Sequence, residues 1–323
     1  MKKILAIILC LMLCFLAFAG CGQKDDGKYV VGICQLVTHD ALDAATKGFK
    51  DAVIAGLGEE NVKFDMQNAN NDVAMCKTIT DNFATKKVDL IMANATPALQ
   101  AAVKSTSTIP ILGTSVTEYG VALEIKDFSG TVGGNVSGTS DLAPLDKQAD
   151  MFAEIVPDAK TVGLLYCVAE ANSVYQVNEV KKFLEKKGIT CKTYTFTDTN
   201  DVSMIAQQAS SENDALYIPT DNTAASCADA IYKSMTTKKP IIVGEAGICK
   251  GCGIATLSID YYDLGYATGE MAVKVLKGEE DISKMAIAYT PEEKLAKQYN
   301  ADICADLKMD VKALEDAGYT AIK

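Results

Sequence analysis

The chain has 323 residues with 31 basic and 42 acidic side chains, a formal net charge of −11 that repels phosphate backbones and argues against a nucleic-acid partner. Every basic residue is lysine, so no guanidinium fork is available and an anion site must be built from backbone N–H groups, hydroxyls, amides or lysine. The length exceeds one comfortable hydrophobic core and fits two lobes.

Lys2 and Lys3 precede an apolar run over residues 4–18 that ends in Ala19-Gly20-Cys21. The run is short for a membrane span and suits the apolar region of an export signal. Small residues directly before a cysteine resemble the lipobox of bacterial lipoproteins. This implies a signal over 1–20, a diacylated N-terminal Cys21 and a solvated tether over 21–27, with an ordinary signal peptide or a retained anchor helix as the alternative. The expected location is extracytoplasmic, lipid-anchored to the cell membrane.

Residues 29–36 read as a strand, and Asp40 opens a helix with the apolar stripe Leu42, Ala45, Phe49 and Val53, closed by Gly56 and Gly58. A strand over 62–66 follows, then a helix capped by Asn71 or Asp72 and striped by Val73, Cys76, Ile79 and Phe83. A strand over 88–93, a helix from Pro97 and a strand over 109–113 complete the unit. The same order returns with strands over 161–167, 191–196, 216–218 and 241–244. The intervening helices carry Val174, Val177, Val180 and Leu184, then Val202, Ile205 and Ala209, then residues 223–235. Val31-Gly32-Ile33, Asn71-Asp72-Val73, Asp89-Leu90 and Ile109-Pro110-Ile111 match later segments at an offset of about 130 residues, so the chain reads as two copies of one unit. Strands alternating with helices imply α/β architecture, two doubly wound parallel-sheet lobes around a ligand cleft.

In open parallel sheets ligands bind beyond the carboxyl ends of the strands. Two such sheets facing each other bring together Gln35 to His39, Thr96, Thr114-Ser115, Glu170 to Ser173, Thr220-Asp221-Asn222 and Gly244-Glu245. Asp221 ends a strand where the first copy has the hydroxyl of Thr96, which suits an ammonium on one side and a carboxylate on Thr96, Thr114 and Ser115 on the other. Helix capping is the competing role for Asp221, and turn or cap duties for Thr96, Thr114, Ser115, Asn172 and Ser173. His39 is the single histidine and reads first as a solvated first-turn residue, with a ligand contact as the alternative. Cys249-Lys250-Gly251-Cys252 lies between apolar runs and reads as a turn with free thiols or a local disulfide. It lacks the helix of a redox motif and the further ligands of a zinc site, so neither metal nor cofactor is expected. There is no dinucleotide Gly-x-Gly-x-x-Gly after the first strand, no Walker loop and no Ser-His pair, which favours a binding protein over an enzyme.

Several of these residues also resemble a known family, the substrate-binding lipoproteins of ABC importers in the tryptophan/tyrosine group. The likeness is carried by Gly32-Ile33-Cys34-Gln35, His39 to Asp43, Ala95-Thr96-Pro97-Ala98, Ser140-Asp141-Leu142, Glu170 to Ser173, Pro219 to Thr223 and Ile259 to Gly265. It implies the periplasmic-binding-protein type I fold, an ABC permease in the membrane as partner, a monomer, and an aromatic amino acid ligand: tryptophan, tyrosine or phenylalanine. Other small solutes (a branched-chain amino acid, a nucleoside or a sugar), a Rossmann-like enzyme and a sensor ectodomain are the alternatives. The resulting ligand set is Gln35, His39, Thr96, Thr114, Ser115, Asn172, Ser173, Asp221, Asn222, Glu245 and Asp260. Type I topology adds three crossings between lobes, at 134–142, 258–262 and 285–290. It thus implies a first lobe of 28–140 plus 261–286 and a second of 141–260 plus 287–323.

Overall fold

The structure, a computed structural model, describes residues 27–322, so the expected signal and Cys21 lie outside the described residues. The first unit runs β1 (Tyr29–Gln35), α1 (Asp40–Leu57), β2 (Val62–Asn68), α2 (Val73–Lys86), β3 (Leu90–Asn94), α3 (Thr96–Ser105), β4 (Ile111–Val116), α4 (Tyr119–Ala122) and β5 (Val136–Ser140). The second runs α5 (Leu145–Ile155), β6 (Thr161–Cys167), α6 (Ala171–Lys186), β7 (Thr190–Phe196), α7 (Val202–Glu212), β8 (Ala215–Ile218), α8 (Asn222–Ser226), α9 (Ala228–Ser234), β9 (Ile241–Val243), α10 (Ala246–Gly251) and β10 (Ala255–Ser258). The remainder is α11 (Tyr261–Lys277), β11 (Ala288–Tyr289), β12 (Ala296–Tyr299), α12 (Ala301–Asp306), α13 (Val311–Asp316) and β13 (Thr320–Ala321).

Two sheets result. One has the order β11-β5-β4-β3-β1-β2 and the other β13-β12-β10-β9-β8-β6-β7, so the first five strands of each unit are laid out alike. All pairings are parallel except β10 with β12, which is antiparallel. Helices cover both faces of the first sheet. Phe49 and Val53 of α1 join Val31, Ile33, Leu90 and Met92 on one side, while Phe83 of α2 and Leu99 of α3 join Cys34, Ile91 and Ala93 on the other. That two-sided burial is why the central strands read as continuous apolar runs. Asp72 caps α2 through Ala74 N (2.8 Å) and Met75 N (3.1 Å), and β8 stops at Pro219, which has no N–H to continue the ladder.

α11 packs along α1 with backbone nearly touching backbone. A Cβ at Gly265 would run into the Ala45 carbonyl, and one at Gly48 into the Tyr262 carbonyl. The returning helix is thereby locked onto the helix that covers the first sheet. The chain crosses between the sheets at 141–144, 259–260 and 290–295.

Several expectations need adjustment. Residues 287–323 do not lie wholly with the second sheet, because Ala288–Tyr289 pairs with Thr139 and Ser140 of β5. The fourth strand begins and ends later than expected, at Ile111 and Val116, with a register shift between Gly113 and Val116 that puts Ser115 at φ 54°. The helix expected over 223–235 is split at Cys227. Cys249 lies inside helix α10 rather than in a turn, and Cys252 caps it. Both thiols are free and fully buried in apolar surroundings, so no local disulfide forms.

Candidate ligand-binding site

The strand ends of the two sheets face each other, and polar contacts join them. His39 Nε2 lies 3.4 Å from Asn222 Oδ1, Asn71 Nδ2 donates to Thr223 Oγ1 at 3.1 Å, and Lys250 pairs with Asp40 at 3.9 Å. Inside this boundary several side-chain atoms are buried without a protein partner, among them Thr96 Oγ1, Ser115 Oγ, Asn172 Oδ1, Asp141 Oδ1 and His39 Nδ1. Buried polar groups are normally paired, so each such atom calls for an explanation.

On the first-sheet side, Thr96 starts α3 after Ala95, whose φ of 94° turns the chain from strand to helix. Ala95 N donates to Thr114 O at 3.0 Å, which ties the ends of β3 and β4 together. The free hydroxyls of Thr96 and Ser115 therefore sit on adjacent strand ends, beside helix N–H groups that lack carbonyl partners. Thr114 behaves differently. Thr268 Oγ1 donates to Leu264 O (3.0 Å), so Thr139 must donate to Thr268 (2.8 Å) and Thr114 to Thr139 (3.3 Å). Each hydroxyl has one proton, and that of Thr114 is spent on the fold.

On the second-sheet side, Asp221 is 1 % exposed and accepts from Cys167 N (2.7 Å) and Ala224 N (2.8 Å). It is thus a helix cap. A carboxylate has about four lone-pair sites, which leaves acceptor capacity for a further donor. Burial, with the Glu170 carboxylate beside it, pushes Asp221 up to about 8. Glu170 is itself buried and accepts from Asn222 N (3.1 Å), Asn222 Nδ2 (2.6 Å), Thr223 N (2.9 Å) and Thr223 Oγ1 (2.8 Å). Among the described residues, no ion pair reaches Asp221 or Glu170. Two neighbouring buried acids with no cation make a place that favours a positively charged group.

The remaining candidates divide. Asn172 donates to Glu170, Ser173 and Thr220 O, and keeps its carbonyl oxygen free in the Asp221 corner. Asn222 links Glu170 to His39, whose burial holds its pKa below the usual value and keeps the ring neutral. Gln35 is a brace rather than a contact. Both its amide protons go to Val37 O and Asp43 Oδ1, and its oxygen accepts from Thr46. Glu245 caps α10, accepting from Gly247 N and Ile248 N at 2.7 Å, and burial pushes it up to about 7. Asp260 is exposed and caps α11 through Asp263 N at 3.0 Å, so it belongs to a crossing rather than to the buried site.

Residues 30–293 match the family described as ABC transporter substrate binding protein. The chain belongs to that family. A "Tyrosine-binding protein" of Clostridioides difficile (strain R20291) is 36% identical over 294 residues, covering 86% of this chain and 85% of its own. The crystal structure of an ABC domain in complex with L-Trp from Streptococcus pneumonia superposes with a TM-score of 0.85 at 32% identity, over 91% of this chain and 99% of that one. A substrate binding protein with adhesive properties from Clostridium difficile, in its ligand-free, open structure, gives 0.68 at 38% identity, over 91% of this chain and 100% of that one. The higher identity goes with the poorer superposition. The fold is that of type I periplasmic binding proteins, and the family is one of binding proteins rather than enzymes.

Two buried acids of the cleft segments are not singled out by residue type. Glu170 stands in an expected cleft segment, but only the structure shows it gripping the start of α8. Asp141 follows β5 at the first crossing and is marked in the sequence only by its place in Ser140-Asp141-Leu142.

Proposed function

We propose that this chain binds an aromatic amino acid in the cleft between its sheets and delivers it to an ABC permease. The observation that carries the reading is the pairing of chemistries across the cleft. Unpartnered Thr96 and Ser115 hydroxyls stand on one side, and a buried, cation-free Asp221 beside Glu170 stands on the other. An α-carboxylate suits the first and an α-ammonium the second, so a zwitterion fits where an anion or a neutral sugar leaves one side unmatched. Relatives named for tyrosine and solved with L-Trp support an aromatic side chain. Among the expected contacts, we assign Thr96, Ser115, Asn172, Ser173 and Asp221 to the head group, with His39 and Asn222 closing the cleft over it. Gln35, Thr114, Glu245 and Asp260 support the fold around them.

Anchoring by lipid on Cys21, and action outside the cytoplasm as a monomer, complete the proposal; the segment Ala19-Gly20-Cys21 is its sequence support. A thermal-shift screen against the twenty amino acids, nucleosides and common sugars tests the ligand class, since a ligand at about 100 times its Kd adds about 2.7 kcal/mol. Stabilisation by tyrosine, tryptophan or phenylalanine is expected. Stabilisation by a sugar or nucleoside instead would overturn the reading.

A further inference from the structure

We propose that Asp141 reads the ligand's side chain: its carboxylate accepts a hydrogen bond from a phenol O–H or an indole N–H and so ranks donor-bearing aromatic side chains above phenylalanine. The inference rests on the amino-acid reading of the cleft. In the first sheet the strand ends run β1, β3, β4, β5, and in the second β6, β8, β9, β10. Thr96, Ser115 and Asp221 occupy the middle of these rows, so a head group held by them must send its side chain to one flank or the other.

The β1 side is shut by residues that follow β1, β2 and β8. There His39 meets Asn222 and Asn71 donates to Thr223 across the lobes. The β5 flank holds Asp141, which is 4% exposed. Its backbone N donates to Val116 O at 3.3 Å, which fixes it next to the residue that follows Ser115. Tyr261 donates to Asp141 Oδ2 at 3.0 Å and the Thr117 hydroxyl lies beside the carboxylate, while Oδ1 is buried with no donor within hydrogen-bond distance. Two other buried carbonyl acceptors near the strand ends also lack partners, but neither competes. Asn172 Oδ1 lies in the Asp221 corner, and Asn94 belongs to the brace with Thr46 and Leu42 O. A buried carboxylate oxygen left without a donor is costly. A phenol or indole hydrogen supplies the missing donor, and a phenyl ring does not. Sites built around such a bond reject the analogue that lacks the donor.

Calorimetry with L-tyrosine and L-phenylalanine on the parent, Asp141→Ala and Asp141→Asn tests this, with the ratio of the two Kd values as the readout. A loss of fold or of head-group binding moves both ligands together and leaves the ratio alone. The parent is expected to bind tyrosine at least about tenfold more tightly than phenylalanine, and Asp141→Ala to bring the two within about threefold. Should the alanine variant not fold, Asp141→Asn carries the test, and its weaker neutral acceptor should cut the ratio at least about threefold. A parent ratio within threefold, or a ratio unchanged in the folded variants, overturns the proposal. A parent that binds no aromatic amino acid overturns the cleft reading itself and this proposal with it.

Discussion

Replacing Asp221 by asparagine separates a helix cap from a ligand carboxylate. Asp221 accepts from two backbone N–H groups, Cys167 N and Ala224 N, and an amide can accept from only one of them through its single oxygen. The lost bond costs about 1–3 kcal/mol, offset in part only at pH values high enough to ionise Asp221, where the change removes a like charge beside Glu170. The unliganded variant should therefore fold, with stability within about 2 kcal/mol of the parent. Binding responds much more strongly. Removing one member of a buried, hydrogen-bonded charge pair costs about 2–5 kcal/mol, or about 30-fold to several thousand-fold in affinity. Isothermal titration with an aromatic amino acid and with the same molecule lacking its amino group completes a cycle of two proteins and two ligands. The deaminated ligand should bind the parent poorly and lose nothing further on Asp221→Asn. If the variant binds the amino acid within about threefold of the parent, Asp221 is only a cap and the ammonium site lies elsewhere.

Burial raises Asp221, Glu245 and Asp141 to about 8, 7 and 6. A raised acid stabilises the fold below its unfolded pKa, and that contribution is lost as pH rises through the folded value. Melts of the unliganded protein should therefore show stability from these acids falling between about pH 4 and 8, with His39, whose pKa is lowered, opposing this below about 6.5. Since an ammonium needs Asp221 ionised, amino acid affinity should rise with pH towards 8, and titrations in buffers of different ionisation enthalpy should report proton release near pH 7. Gly265→Ala should destabilise the protein by about 3 kcal/mol or more, because the new methyl meets the Ala45 carbonyl rather than a yielding side chain; a denaturant midpoint close to the parent's would contradict the close α1–α11 packing. Cys249→Ala with Cys252→Ala should leave affinity within about threefold, since both thiols lie in the apolar core, and a larger loss would give them a part in the site. Small-angle scattering should show an unliganded population more extended than the saturated protein, because His39–Asn222 and Asn71–Thr223 are the kind of contacts hinge opening breaks.

Much of the layout was legible because it rests on periodicity. The stripe of Leu42, Ala45, Phe49 and Val53, the Asp72 cap and the offset of about 130 residues between copies are local or repetitive signals. Asp221 was visible too, since a carboxylate directly after a buried strand is chemically conspicuous. What resisted reading was the use of each polar atom. Gln35 and Thr114 have the right chemistry and place, yet Thr46 and Asp43 claim one and the Thr139–Thr268 chain claims the other. These partners are 8 to 11 residues away in the first case and 25 in the step to Thr139, and no spacing rule reports them. The split at Cys227 and the helix holding Cys249 were hidden for a different reason, because short helices packed in a core carry too few turns to show a period.

The glycine seam between α1 and α11 bears on how the molecule comes into being. α1 ends at Leu57, but the helix that must lie against it does not end until Lys277. Strands β1 to β5 can assemble early with α1 on one face of their sheet, yet α11 completes that face only after the chain has passed through nearly all of the second unit and returned. Such a long sequence separation makes the contact slow to form. Completion of the first core is thus a late event that waits for the greater part of the polypeptide.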